Sequence, residues 1–147
     1  MKYLLGANTL IDLCYPMTPA TQWAQTIPVS DCCLSVISVA TTRDVIDRAP
    51  LSSPDRLRLN LAFRSRLATF TNGGAHILPF DRLEADLWQA WRSHVPLDIS
   101  RNGALHPANQ DTRMVIATAF AHGLELVEPA EAYHSELTAH GLTVHSL

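Results

Sequence analysis

The sequence predicts an α/β sandwich, with a central parallel sheet and helices on both faces. Three observations predict it. Short apolar or β-branched runs recur at residues 2–5, 32–38, 76–80, 124–127 and 142–144, each of strand length. Segments with helical punctuation separate them, and strands alternating with helices imply parallel βαβ units. Finally, a chain of 147 residues that is 47% hydrophobic and 17% charged has the profile of one globular domain, spanning 1–147, able to bury a substantial core.

The elements follow in order. Tyr3-Leu4-Leu5 reads as a buried strand that stops at Gly6-Ala7-Asn8-Thr9, and a helix starts at about Asn8. Pro16 and Pro19 interrupt that helix, because proline stops or starts helices. "CCLSVIS" (32–38) is the second strand, and Ser38 is placed to cap a helix running toward Arg48. "SSPDRLRLNLAFRSRLATF" (52–70) opens with a cap and an early proline and aligns Leu57, Leu61, Arg64 and Ala68 on one stripe. Asn72-Gly73-Gly74 stops it. "HILPF" (76–80) is a short strand leading to Asp81, the natural N-cap of "RLEADLWQAWRSH" (82–94). Residues 95–110, with Pro, Asn and Gly, read as loop. "TRMVIATAFAHG" (112–123) is a small-residue helix closed by Gly123, "LELV" is a strand, a short helix reaches about His140, and "LTV" completes the sheet.

Composition narrows the function classes. No apolar run approaches the ~18 residues of a membrane span, and no charged-then-apolar leader is present, so a cytoplasmic protein without membrane contact is expected. Cys14, Cys32 and Cys33 form no C-x-x-C pair and read as buried free thiols. The net charge of −3 argues against strong global attraction to nucleic acid. Locally, however, Arg43, Arg48, Arg56, Arg58, Arg64 and Arg66 outnumber Asp44, Asp47 and Asp55. That stretch is either a solvated helix face or a phosphate-facing surface, with Arg43, Arg48, Arg56 and Arg58 the candidate RNA contacts. Phosphate-loop, dinucleotide-fold and nucleophile-elbow motifs are missing from the sequence, and its histidines lack the i, i+4 spacing of a helical zinc pair. Trp88 and Trp91 lie on one side of the 82–94 segment, as core packing or as a subunit interface.

Five stretches, "MKYLLGANTLIDL", "LSVISVATT" (34–42), "ILPFDRLEADLW" (77–88), "VIATAFAHGLELV" (115–127) and "GLTVHSL", span nearly the whole chain. In this order and spacing they resemble the PIN-domain family, and within it the VapC-type toxins of toxin–antitoxin modules. The resemblance implies a three-layer α/β/α sandwich and a metal-dependent ribonuclease, with carboxylates gathered at the carboxyl edge of the sheet. Mg²⁺ or Mn²⁺ would be the cofactor, since hard cations take oxygen ligands and activate water.

The acids that the resemblance calls for are absent. The family's first Asp, in "LLDTN", falls on Gly6; its Glu, in "VAEL", on Thr41; the Asp opening the small-residue helix on Thr112; and the acid or amide after "LVT" on Ala130. Asn8 is kept. Asp111, one residue before Thr112, is the foremost substitute, with helix N-capping as its structural alternative; Glu128 and Glu131 flank Ala130. Asp44 lies one turn past Thr41, a displacement of roughly 4.5 Å that abolishes direct ligation. The sequence therefore predicts a PIN-like protein with no catalytic set, no cofactor and no metal, working by binding protein or RNA. A ribonuclease rearranged around Asp111, with Glu128 and Asn8, is the alternative. An antitoxin-like partner and a homodimer are the expected assemblies.

Overall fold

The structure is a computed structural model that describes the backbone of residues 1–94, 98–101, 104–107 and 109–147, and side chains outside 91–108. Five parallel strands form the sheet: β1 (Tyr3–Leu5), β2 (Cys32–Ser35), β3 (His76–Leu78), β6 (Glu125–Glu128) and β7 (Val144–Ser146). Their order is β3-β2-β1-β6-β7. Two further strands, β4 (Asp98–Arg101) and β5 (Ala104–Pro107), pair antiparallel on their own. The predicted three-layer sandwich with a parallel sheet is what the chain forms.

Among the described residues seven α-helices connect the strands: α1 (Ala7–Asp12), α2 (Pro19–Ala24), α3 (Val36–Arg48), α4 (Ser53–Asn72), α5 (Arg82–His94), α6 (Gln110–His122) and α7 (His134–Ala139). The period-two alternation of strand side chains divides the core in two. Leu4, Cys33 and Leu126 face Val115, Ile116 and Ala119 of α6. Leu5, Leu34 and Val127 face the opposite layer, where Leu10, Ile46, Phe63 and Phe70 close over them. Cys32 and Cys33 are buried free thiols, as expected, and Cys14 is half-buried. Burial pushes the Cys32 thiol up to about 11 and the Cys33 thiol up to about 12, so neither is a ready nucleophile.

Several boundaries differ from the sequence reading, each for a local reason. The second strand ends at Ser35, which caps α3 by accepting from the Ile37 amide; Ser38 is the reciprocal member of a capping box, not the cap. Asn109 caps α6 by accepting from the Thr112 amide at 2.8 Å, so Asp111 is not the N-cap. On α4 the buried side is Leu59, Phe63 and Phe70, whereas Leu57 and Leu61 are 59% and 53% exposed. The stripe read at 57, 61, 64 and 68 is displaced because the aromatics, the larger apolar payload, take the core side. The loop assigned to 95–110 contains β4 and β5, whose flanking of Asn102-Gly103 is a hairpin signal in the sequence.

Two helix ends show how side chains and glycine set the frame. Glu84, buried on α5, accepts from the Asp81 amide at 2.9 Å and lies 2.8 Å from the His122 ring at the end of α6. Burial alone would raise that carboxyl, but these hydrogen bonds hold it below its ordinary range. Gly123 ends α6 in the left-handed region, with φ of 61° and no atom within 4 Å of where a Cβ would sit. Only the backbone cost is thus at stake there. Gly123→Ala is expected to destabilise by about 1 kcal/mol, read as a drop of roughly 2–4 °C in Tm. An unchanged Tm would show that the turn relaxes freely.

Candidate functional site at the carboxyl edge of the sheet

In an open parallel sheet, ligands bind outside the carboxyl ends of strands where the strand order reverses. Here that point lies between β1 and β6, since the chain crosses from β1 to β2 on one side and β6 joins on the other. Leu5 pairs with Val127, and the Gly6 amide donates to the Val127 carbonyl at 3.1 Å. One step further along both strands, residues 6 and 128 stand side by side at the mouth of the crevice.

Gly6 and Glu128 share one volume. A Cβ built on Gly6 would collide with the carboxyl group of Glu128. The Glu128 side chain is only 7% exposed, and its Oε2 has no hydrogen-bond partner. Gly6 is the N-cap of α1 and offers no side-chain cap. The second and third residues of α1, Asn8 and Thr9, carry the amides that a capping side chain at position 6 would serve. Those two amides act on the Glu128 carboxyl instead. A carboxyl from β6 thus occupies the place that a side chain at position 6 would take.

The electrostatics differ from those of a capping Asp. Burial pushes the Glu128 carboxyl up to about 8; the amides of Thr9 and Asn8 oppose the rise, and the charges of Asp12 and Glu131 add to it. Burial also raises Asp12 on α1. Glu128 neighbours Tyr133, whose phenol burial raises strongly, with the charges of Glu128 and Glu131 behind it. The crevice thus gathers acids and repels their full ionisation.

A cavity of about 490 Å³ opens here. It brings together Asn8, Thr41, Asp111, Thr112, Glu128 and Glu131, residues from four separate segments of the sequence. Asp111 lies on the first turn of α6 and accepts from the Thr41 hydroxyl of α3 at 3.1 Å. Gly6 adjoins the same crevice through Glu128, while Ala130 is exposed and does not line it. The sequence named Glu128 as a neighbour of Ala130 and as a substitute beside Asp111, not as the partner of Gly6. An acid ending the strand "LELVE" opposite a glycine ending "YLLG" was the available signal, and only the β1–β6 register gives it meaning.

The predicted residues outside the crevice have separate roles. Arg43 is exposed on α3. Arg48 pairs with Asp44 at 2.9 Å and Arg58 with Asp55 at 3.5 Å, both exposed pairs within a helix. Arg56 donates to the carbonyls of Ala49 and Leu51, closing the α3–α4 connection. Trp88 is half-buried on α5; the Trp91 side chain lies outside the described residues.

Metal binding can be tested against the donor set. Mg²⁺ demands near-octahedral oxygen ligation from converging carboxylates. Of the four positions the resemblance assigns to acids, Gly6 and Ala130 offer no side-chain oxygen and Thr41 and Thr112 offer a neutral hydroxyl. Among the described residues no three His, Cys, Asp or Glu side chains are grouped to hold a metal ion. The residues present do not fit the family's ion.

Comparison with known proteins bears on the fold. No protein-family model matches the sequence. No curated protein matches it either. Among solved structures, FitAcB from Neisseria gonorrhoeae superposes with a TM-score of 0.73 at 21% identity, covering 98% of this chain and 96% of that one. VapBC-5 from Mycobacterium tuberculosis, a member of the VapBC family of toxin–antitoxin systems, gives 0.65 at 16% identity, over 99% and 97% of the two chains. VapC20 from the same organism, a sarcin–ricin loop cleaving toxin, gives 0.61 at 14% identity over 97% of each chain. Coverage is nearly complete in every case, and what the likeness carries at such low identity is architecture: this chain has the PIN-like α/β/α fold of the VapC-type toxins.

Proposed function

We propose that this chain is the toxin-like member of a toxin–antitoxin pair whose crevice no longer performs metal-dependent RNA cleavage, and that it acts by binding an antitoxin-like protein. One observation carries the reading. The place of the first catalytic acid is a glycine, and the carboxyl that fills it is buried and held toward its neutral form. A neutral carboxyl is a poor ligand for a hard divalent cation. The partner class is supported by the similarity to structures of toxin–antitoxin systems.

A second reading is favoured by a specific contact set. Asp111 and Glu128, the substitutes named from the sequence, line one cavity together with the retained Asn8. A ribonuclease rearranged around Asp111 would use them. Incubation of purified protein with total RNA in several millimolar Mn²⁺ separates the two. No cleavage above the buffer control is expected, and cleavage that Asp111→Asn abolishes would establish the rearranged nuclease instead.

Assembly is tested alongside. Co-expression with an antitoxin-like protein is expected to yield a stable complex by size exclusion with light scattering. The same measurement on the chain alone is expected to give a homodimer at tens of micromolar, with α5 and Trp88 as the proposed contact. Retention of RNA by the chain alone, lost on replacing Arg43, would place RNA rather than protein as the partner.

A further inference from the structure

We propose that the cavity enclosed by the end of α1, α2, β2 and the second half of α4 binds a small carboxylic acid with a compact branched tail, of about six carbons in all. This cavity shares no lining residue with the crevice at the carboxyl edge of the sheet.

The walls are set by short-range bonds around α2. Thr18 caps that helix by accepting from the Thr21 amide, and its hydroxyl donates to the Asp12 carbonyl at 3.0 Å. The Thr21 hydroxyl donates to the Tyr15 carbonyl at 2.8 Å. These bonds tie α2 to the end of α1, and the small side chain of Ala24 leaves a space of about 140 Å³ between α2, β2 and α4. The inner end of that space is apolar: Leu13, Cys32 and Phe70 are buried there, beside Ile27 and Val29. An apolar cavity of about 150 Å³ takes one benzene ring. Left empty, such a space forfeits the dispersion contacts of its lining, which an apolar tail would restore.

The outer end selects the head group. Gln25, Arg66 and Thr69 are exposed where they line the cavity. Arg66 Nε donates to the Leu13 carbonyl at 2.8 Å, which fixes the guanidinium at this place. Arg48 and Arg58 each pair with an aspartate, whereas among the described residues Arg66 has no carboxylate partner. An exposed arginine alone is simply solvated; this one is held at the mouth of an apolar space. The hydroxyls of Thr21 and Thr69 already donate to the carbonyls of Tyr15 and Ser65, so toward a ligand they are acceptors. The donors that the fold leaves unused are the Nη groups of Arg66 and the side-chain amide of Gln25. That set calls for an anion, and the planar edge formed by the two Nη groups matches a carboxylate with parallel N–H bonds. Space then limits the tail, since 140 Å³ excludes a long fatty chain.

The test titrates the intact chain with isocaproate, followed by NMR. One saturable site is expected, with shift changes centred on Ala24, Cys32, Arg66 and Phe70. Isocaproamide, the same shape without the charge, is expected to bind about tenfold more weakly. Acetate, which has the charge without the tail, is expected not to saturate over the same concentrations. Arg66→Gln is expected to weaken the acid about tenfold and leave the amide unchanged, a selectivity that mere loss of structure would not give. Ala24→Leu fills the space and is expected to abolish binding, with melting curves confirming that both variants fold. Absence of saturable isocaproate binding would overturn the inference. Equal affinity for acid and amide would also overturn it, because Arg66 would then have no part, and this comparison needs only the unmodified chain. Undiminished binding in folded Ala24→Leu would place the ligand elsewhere and overturn it as well.

Discussion

Replacing Glu128 with glutamine is expected to raise the stability of the protein at pH 8 and to remove most of its loss of stability across the neutral range. The sign follows from the carboxyl's two environments. In the folded chain it is pushed up to about 8 from a model-peptide value of 4.5. Between those values the native state holds a proton that the unfolded chain releases, so stability falls as pH rises. The contribution is fully present below pH 4.5 and lost as pH passes about 8. At about 1.4 kcal/mol per pH unit, the loss is on the order of 5 kcal/mol. Glutamine keeps the shape, still accepts from the Asn8 and Thr9 amides through its carbonyl, and cannot ionise. His134 works in the opposite direction: burial lowers it, so its contribution is lost as pH falls. It cancels in the difference between the two proteins. Thermal melts at pH 5, 6.5 and 8 are expected to place the variant more than about 10 °C above the parent at pH 8, with the gap closing toward pH 5. Parallel profiles would show that Glu128 titrates as an ordinary surface acid.

How much of this was legible in the sequence depends on the range of the interaction. Strand alternation and helix punctuation act over a few residues, so the parallel α/β sandwich and its strand positions could be read directly. Helix starts were less secure because two serines, Ser35 and Ser38, both suit a cap, and only the reciprocal hydrogen bonds decide between them. The inward side of α4 is not legible in the sequence, because Leu57 and Leu61 repeat at helical spacing as well as Leu59 and Phe63 do. Nothing local ranks the two stripes; the sheet does. Positions 6, 41, 112 and 130 hold no acid, and their assignment as the family's acid positions rests on the resemblance of the five stretches to the PIN pattern. The role of Glu128 was not visible, because it depends on a register between strands more than 100 residues apart. Tertiary pairing turns an acid at a strand end into the neighbour of a glycine.

That pairing makes a second strong prediction, in which the order of substitutions matters. Gly6→Asp alone is expected to destabilise the protein by about 1–3 kcal/mol, because its Cβ would enter the volume of the Glu128 carboxyl and displace it. Backbone geometry contributes nothing to this cost. Gly6 has φ of −77° and ψ of 171°, which any residue adopts. Glu128 can swing out only into the cavity that Asp12, Asp111 and Glu131 line, where like charges oppose its ionised form. Adding Glu128→Ala is expected to recover most of the loss: it vacates the space, and an Asp at the N-cap then accepts from the Asn8 and Thr9 amides itself. The two changes should therefore couple by about 2 kcal/mol or more in a double-mutant cycle. Restoring the acids as a set has the same requirement. Gly6→Asp, Thr41→Glu and Thr112→Asp are expected to confer Mg²⁺-dependent stabilisation only in the Glu128→Ala background, where the first carboxylate has room to point at an ion. A millimolar site filled at ten times its Kd would add ~1.4 kcal/mol. Urea unfolding of the parent, the two single variants and the double variant measures the coupling, and the same measurement with and without Mg²⁺ on the acid-restored variant, in both the parent and the Glu128→Ala background, measures the second effect. Gly6→Asp as stable as the parent chain would show that positions 6 and 128 do not compete for one place.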